Sequence, residues 1–139
     1  MEFRKEKPLH INRILIVDDS PIARMLLKKC LGEGFELYEA ETGEQGMELF
    51  RAINMDLVFL DLNMPGMGGF ETLKRMMKFN PQSRVAVISA DRQVSTILNC
   101  VTAGACTVLK KPPREESVQK AIHALETGEE LLIEGIQNE

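Results

Sequence analysis

At 139 residues, 44% hydrophobic and 27% charged, the chain has the length of one domain and ordinary globular composition. A net charge of −4 excludes the basic footprint of a nucleic-acid binder, and no apolar run approaches the ~18 residues of a membrane span. Cys30, Cys100 and Cys106 form no CxxC or CxxH pattern, and an odd number amid apolar neighbours predicts reduced, buried thiols in a cytosolic protein.

The first residues, with Arg4, Lys5 and Lys7 diluted by Glu2 and Glu6, lack the apolar core of a signal peptide, so 1–11 reads as a solvated arm. Residues 14–17 are the first of several short apolar runs rich in branched side chains, each of strand length. Ser20-Pro21 then supplies a helix cap and a proline at the first helical position, where no amide bond is lost. Ala23, Leu26, Leu27 and Cys30 follow at i, i+3, i+4 and i+7, one apolar stripe of a helix that Gly32 and Gly34 stop. Further strands are predicted at 35–40 and 57–60. Asn80-Pro81 closes the third helix, ahead of a strand at 85–88. Val94, Ile97, Leu98 and Val101 repeat the helical stripe up to Gly104, and 106–109 reads as the last strand. Val118, Ala121, Ile122 and Leu125 form the final stripe. One folded unit is thus expected over 12–126. The tail at 127–139, with its weak apolar patch (Leu131, Leu132, Ile133, Ile136), extends the last helix or begins a linker. Five strands alternating with five helices imply an α/β fold with a parallel sheet and right-handed crossovers.

In an open parallel sheet, ligands bind beyond the carboxyl ends of the strands, near the point where strand order reverses. There strand one ends in Asp18-Asp19, strand three in Asp61, strand four in Ser89 and strand five in Lys110-Lys111-Pro112. Strand two ends in the plainer Glu39-Ala40-Glu41. Three gathered carboxylates repel; at an effective dielectric of ~20 each close pair costs on the order of a few kcal/mol, which a cation or a shifted pKa must relieve. Every ligand atom on offer is oxygen, with no histidine or cysteine nearby in sequence, which favours Mg²⁺ over zinc. Mg²⁺ takes one or two carboxylates plus a phosphate and keeps several waters, so the set points to phosphoryl chemistry. A flavin mononucleotide site is disfavoured, because two acids stand where amides would have to greet a phosphate. Each acid also has a plainer reading. Asp18 and Asp19 would favour a helix macrodipole by ~0.3–1 kcal/mol, although Ser20 already caps that helix. Asp61 would be a turn residue before Pro65-Gly66, and Ser89 a strand-end serine with a local turn bond.

The stretches Ile-Leu-Ile-Val-Asp18-Asp19-Ser20-Pro21, Leu60-Asp61-Leu62-Asn63-Met64-Pro65-Gly66-Met67-Gly68-Gly69, Ile88-Ser89-Ala90, and Gly104-Ala105 leading to Lys111-Pro112 occur in that order. In them the chain resembles bacterial response-regulator receiver domains, from about Arg13 to Leu125. The resemblance implies a flavodoxin-like, doubly wound sheet of order 2-1-3-4-5, the order of the chemotaxis receiver. It implies Asp61 as phosphoryl acceptor, a carboxylate nucleophile that forms an acyl phosphate. It implies Mg²⁺ held by Asp19 directly and Asp18 through water, with Asp61 and the backbone carbonyl of Asn63. Lys111 matches the lysine that neutralises a phosphoryl oxygen, followed by an expected cis bond to Pro112, while Lys110 alternates to the other side of the strand. Ser89 holds the position of the switch hydroxyl. Asn63 and Asp91 occupy positions that shape access of water to the acyl phosphate, and lean towards a short-lived one. The family often carries tyrosine or phenylalanine three residues before the lysine. Val108 stands there, so the signal is expected to pass through Ser89, the adjoining loop and the helix at 94–103.

The implied function is Mg²⁺-dependent transfer from a sensor histidine kinase or phosphotransfer protein to Asp61, switching a surface of helix 4, strand 5 and helix 5 for a downstream output protein. A cytoplasmic monomer or weak dimer is expected, a switch with only slow autodephosphorylation and neither nucleic-acid contact nor membrane insertion. Two other classes compete. An aspartate-nucleophile phosphatase commonly needs a second acid two residues after its nucleophile, where this chain has Asn63. A phosphorylation-independent binding module would have no use for the full set of Asp18, Asp19, Asp61, Ser89 and Lys111. His10 and His123 are expected at the surface, and Met55, Met64, Met67, Met76 and Met77 as core and loop packing.

Overall fold

The computed structural model describes residues 9–131 and 133; the expectations for Arg4, Lys5, Lys7, Leu132 and Ile136 lie outside them. Strands and helices alternate as β1 (Arg13–Val17), α1 (Pro21–Leu31), β2 (Glu36–Ala40), α2 (Gly43–Ala52), β3 (Leu57–Asp61), α3 (Gly69–Phe79), β4 (Val85–Ser89), α4 (Val94–Thr102), β5 (Thr107–Lys110) and α5 (Glu115–Thr127). All the strand pairs are parallel and the order is β2-β1-β3-β4-β5, as the resemblance implies. Every residue of β3 and β4 is buried, which explains why those stretches are apolar without alternation: helices cover both faces.

Successive side chains on each strand point to opposite faces and so divide the core in two. On one face Ile14, Ile16, Phe59, Ile88 and Leu109 pack with Leu27 and Leu31 of α1 and Val118 and Ile122 of α5. Ile11, ahead of β1, is 2% exposed and joins this layer. On the other face Leu15, Val17, Val58, Leu60, Val87 and Val108 pack with Met47 and Phe50 of α2, Leu73 and Met76 of α3, and Ile97 and Cys100 of α4. Burying each large aliphatic or aromatic side chain contributes about 1.5–3 kcal/mol. Two helix starts follow their caps: Ser20 Oγ accepts from Ala23 N at 3.2 Å before α1, and Thr42 Oγ1 accepts from Gln45 N at 3.1 Å before α2. Gly32 stops α1 with φ of 72° while its N–H donates to Lys28 O.

The stripes are only partly covered. Leu26, Leu98 and Val101 are exposed, and of the α4 stripe only Ile97 is buried, with Cys100 beside it. α4 packs chiefly over β5, the edge strand, so half of its apolar arc overhangs the sheet. Cys100 is buried as expected, whereas Cys30 and Cys106 are half-buried; all three are free thiols. After Gly128, Glu129–Leu131 run beside α5 and, with Thr107 and Leu109, line a cavity of about 590 Å³. Among the described residues no helix is long and apolar enough to cross a membrane.

Candidate functional site

Sheet register brings the polar strand ends together. Asp61 is opposite Ile88 and Ser89 is opposite Lys110. Backbone bonds continue past the strands: Asp18 N donates to Ala40 O at 3.1 Å, Leu62 N to Ile88 O at 3.1 Å, and Lys111 N to Ser89 O at 3.0 Å. One carboxylate oxygen from each of Asp18, Asp19 and Asp61 lies within 4.8 Å of the others, a grouping able to hold a metal ion. Asp18 and Asp61 are 6% and 2% exposed, while Asp19 is open to solvent. Lys111 Nζ stands 3.2 Å from both Asp18 Oδ2 and Asp61 Oδ1. Lys110 is exposed, and the Lys111-Pro112 bond is cis.

The two oxygens of Asp61 differ. Oδ1 faces Lys111 and accepts from Asn63 N at 3.3 Å, whereas Oδ2 is buried without a hydrogen-bond partner. Burial first, then repulsion from Asp18, raises the Asp61 pKa, and Lys111 and the Asn63 amide offset only part of this. Burial alone would lower the Lys111 pKa, but Asp18 and Asp61 together outweigh it and raise the value, so its ammonium stays charged. An orphaned buried carboxylate oxygen inside a three-acid group with one ammonium fits a hard divalent cation with oxygen ligands.

The β3–α3 connection sets the position of Asp61. Gly66 and Gly68 adopt φ of 76° and 74°, which lets the chain turn twice within Met64–Gly69. Gly69 N then donates to Leu62 O at 3.0 Å, and a Cβ at Gly69 would collide with the backbone of Asp61 and Leu62. Ser89 is fully buried, and its hydroxyl is engaged within its own loop, accepting from Asp91 N at 3.0 Å and donating to Asp91 O at 3.2 Å.

Two arginines escaped the sequence reading. Arg24, buried on α1, donates from Nη1 to Asp18 O at 2.7 Å and from Nε to Glu39 Oε1 at 3.0 Å. It thereby clamps the acid pair to the end of β2, and the signal for it was a basic residue within an apolar stripe, facing the acids Glu39 and Glu41. Arg92, in the β4–α4 loop, is also buried, and no pattern marked it. His10 and His123 are exposed, as expected, and stand away from the acids beside Glu126 and Glu129.

A family model described as the response regulator receiver domain matches residues 14–123. The chain belongs to this receiver family. The receiver is 35% identical over 126 residues to the nitrate/nitrite response regulator protein NarL of Escherichia coli, covering 88% of this chain and 58% of that protein. It is 39% identical over 114 residues to the chemotaxis protein CheY of Bacillus subtilis, covering 81% of this chain and 95% of that one. Among solved structures it is similar to the Borrelia burgdorferi CheX–CheY–BeF₃–Mg²⁺ complex, with TM-score 0.76, 31% identity, and coverage of 82% and 88%. The receiver is thus a module of two-component signalling, and its acid cluster can hold a divalent metal.

Proposed function

We propose that Asp61 accepts a phosphoryl group from a phosphohistidine on a sensor kinase or phosphotransfer protein, in a step that depends on Mg²⁺. The observation that carries this reading is the buried, unpartnered Oδ2 of Asp61 inside the acid cluster, with Lys111 already on the other oxygen. The similar Borrelia structure, which contains BeF₃ and Mg²⁺, supports the choice of metal. Asp18, Asp19, Asp61 and the backbone carbonyl of Asn63 would hold the ion, which when bound supplies charge neutralisation for the phosphoryl oxygens. A carboxylate oxygen of Asp61 attacks phosphorus in line with the departing imidazole nitrogen; the P–N bond breaks as the acyl phosphate P–O bond forms. Lys111 follows the growing negative charge with a flexible point charge, so the chain contributes mainly positioning and electrostatics. Ser89 then donates its hydroxyl to a phosphoryl oxygen, giving up its bond to Asp91 O. Asn63, exposed, and Asp91, half-buried, hold the positions that shape access of water to the acyl phosphate, and an amide and an acid there favour a short phosphoryl lifetime.

The output is a population shift in the surface of α4, β5 and α5, where Leu98 and Val101 are exposed for a protein partner. Going from mostly inactive to mostly active needs about 5.5 kcal/mol, more than one hydroxyl bond supplies, so the partner contributes part of it. Exposed Ile22, Met25 and Leu26 on α1 offer an apolar footing for the phosphoryl donor. We assign the receiver unit to 12–126 and a cytoplasmic setting as monomer or weak dimer, in keeping with three free thiols. Incubation with acetyl phosphate and Mg²⁺ tests the reading by intact mass. One phosphoryl adduct is expected on the wild type and none on Asp61→Asn; an unmodified wild type, or a modified variant, overturns it.

A further inference from the structure

The loop after Ser89 and strand β5 lie apart in sequence, and the apolar side chain of Val108 cannot join them by a hydrogen bond. Arg92 spans the gap. It is 5% exposed, rare for an arginine, and its Nη2 donates to the backbone carbonyl of Val108 at 3.2 Å. Its loop is fastened to the site on one side, where the Ser89 hydroxyl holds both the N–H and the carbonyl of Asp91. On the other side the Asp91 carboxylate accepts from Gln93 N at 3.0 Å and Thr96 Oγ1 at 2.7 Å, tying the loop to the start of α4. The Val108 side chain is itself fully buried, in the cluster that contains Ile97 and Cys100 of α4.

We infer that Arg92 is a positioning residue that couples the Ser89 hydroxyl to strand β5 through its bond to the Val108 carbonyl; the inference rests on the phosphoryl acceptance proposed above. The Ser89 hydroxyl has one proton to give. Donating it to a phosphoryl oxygen withdraws it from Asp91 O, so the loop at 89–93 cannot keep its bonding pattern. A buried guanidinium in that loop either carries Val108 with it or releases the carbonyl, and in both cases β5 responds. The long stem and planar head of arginine suit a fixed reach from loop to strand, which an ammonium provides only in part.

Amide spectra of the ¹⁵N-labelled full chain, read beside intact mass, test this. On adding acetyl phosphate and Mg²⁺ to the wild type, amides of 89–93 and of Thr107–Lys110 shift together. Arg92→Met keeps the apolar stem but no donor; it still takes the adduct and still shifts at 89–93, while its Thr107–Lys110 response falls about five-fold or more. Arg92→Lys restores an intermediate response. Undiminished β5 shifts in Arg92→Met overturn the inference. Should that variant lose its amide dispersion, Arg92→Gln, too short to span the gap, is judged by the same criterion. Ser89→Ala without any phosphoryl donor gives a second reading: it perturbs β5 amides in the wild-type background and about five-fold less together with Arg92→Met. Absence of an adduct on the wild type would end the phosphoryl reading alone, and the Ser89→Ala pair would still decide the coupling, equal β5 perturbation in both backgrounds overturning it.

Discussion

Burial and the nearby Asp18 both disfavour the ionised form of Asp61, and Lys111 compensates incompletely. The folded chain therefore holds a proton on Asp61 more tightly than the unfolded chain does. Above its raised folded pKa the ionised carboxylate costs stability; as pH falls through that value towards the ordinary aspartate range, the cost is relieved. Asp61→Asn is accordingly expected to raise stability near neutral pH by about 0.5–2 kcal/mol, an advantage that shrinks in acid, as calorimetry across a pH series would record. Mg²⁺ affinity should move the opposite way: the ion must displace the Asp61 proton, so titration calorimetry should find weaker binding as pH drops. Asp18, Asp19, Asp61 and Ser89 were legible because polar side chains directly after apolar strands are conspicuous, and Lys111 was told from Lys110 by the family's Lys-Pro motif. Arg92 was not legible, because it donates to the carbonyl of Val108, and a carbonyl leaves no mark in a sequence; Arg24 left a faint one, a basic residue in an apolar stripe with acids to meet it at the end of β2.

Among the elements, the β3–α3 connection is the most demanding of its residues. Gly69→Ala would press a methyl group into the backbone of Asp61 and Leu62, costing about 1–3 kcal/mol and moving Asp61 itself. Gly32→Ala, at φ of 72° and ψ of −157° with open space around it, meets only backbone strain of about 1–3 kcal/mol. Denaturant melts should find both variants weakened, whereas the yield of phosphoryl adduct should fall only for Gly69→Ala. Strand positions were readable from apolar runs, and α1 from Ser20-Pro21. The exposure of Leu98 and Val101 was not, because periodicity tells which residues share a helix face and is silent on how far the neighbouring sheet extends beneath it.

At the scale of the molecule, one sheet serves two separate apolar layers. Leu27 and Leu73, on opposite faces, are both buried, and replacing either with alanine should cost about 2–5 kcal/mol. Since the sheet is shared, each variant should melt in a single transition, and the double variant should add the two losses within about 0.5 kcal/mol. The meeting of Asp18 with Lys111 across 93 positions of sequence was legible in outline, because an open parallel sheet gathers the carboxyl ends of its strands at one edge; the 3.2 Å ion pair itself needed the structure. That separation has a bearing on biosynthesis. A growing chain displays its N-terminal acids long before the ammonium that steadies them has been translated. A ribosome product cut short ahead of the last strand would own an aspartate to modify yet no working receptor for a signal. Any response that needs this ammonium is thereby reserved for chains that have reached the last strand of the sheet.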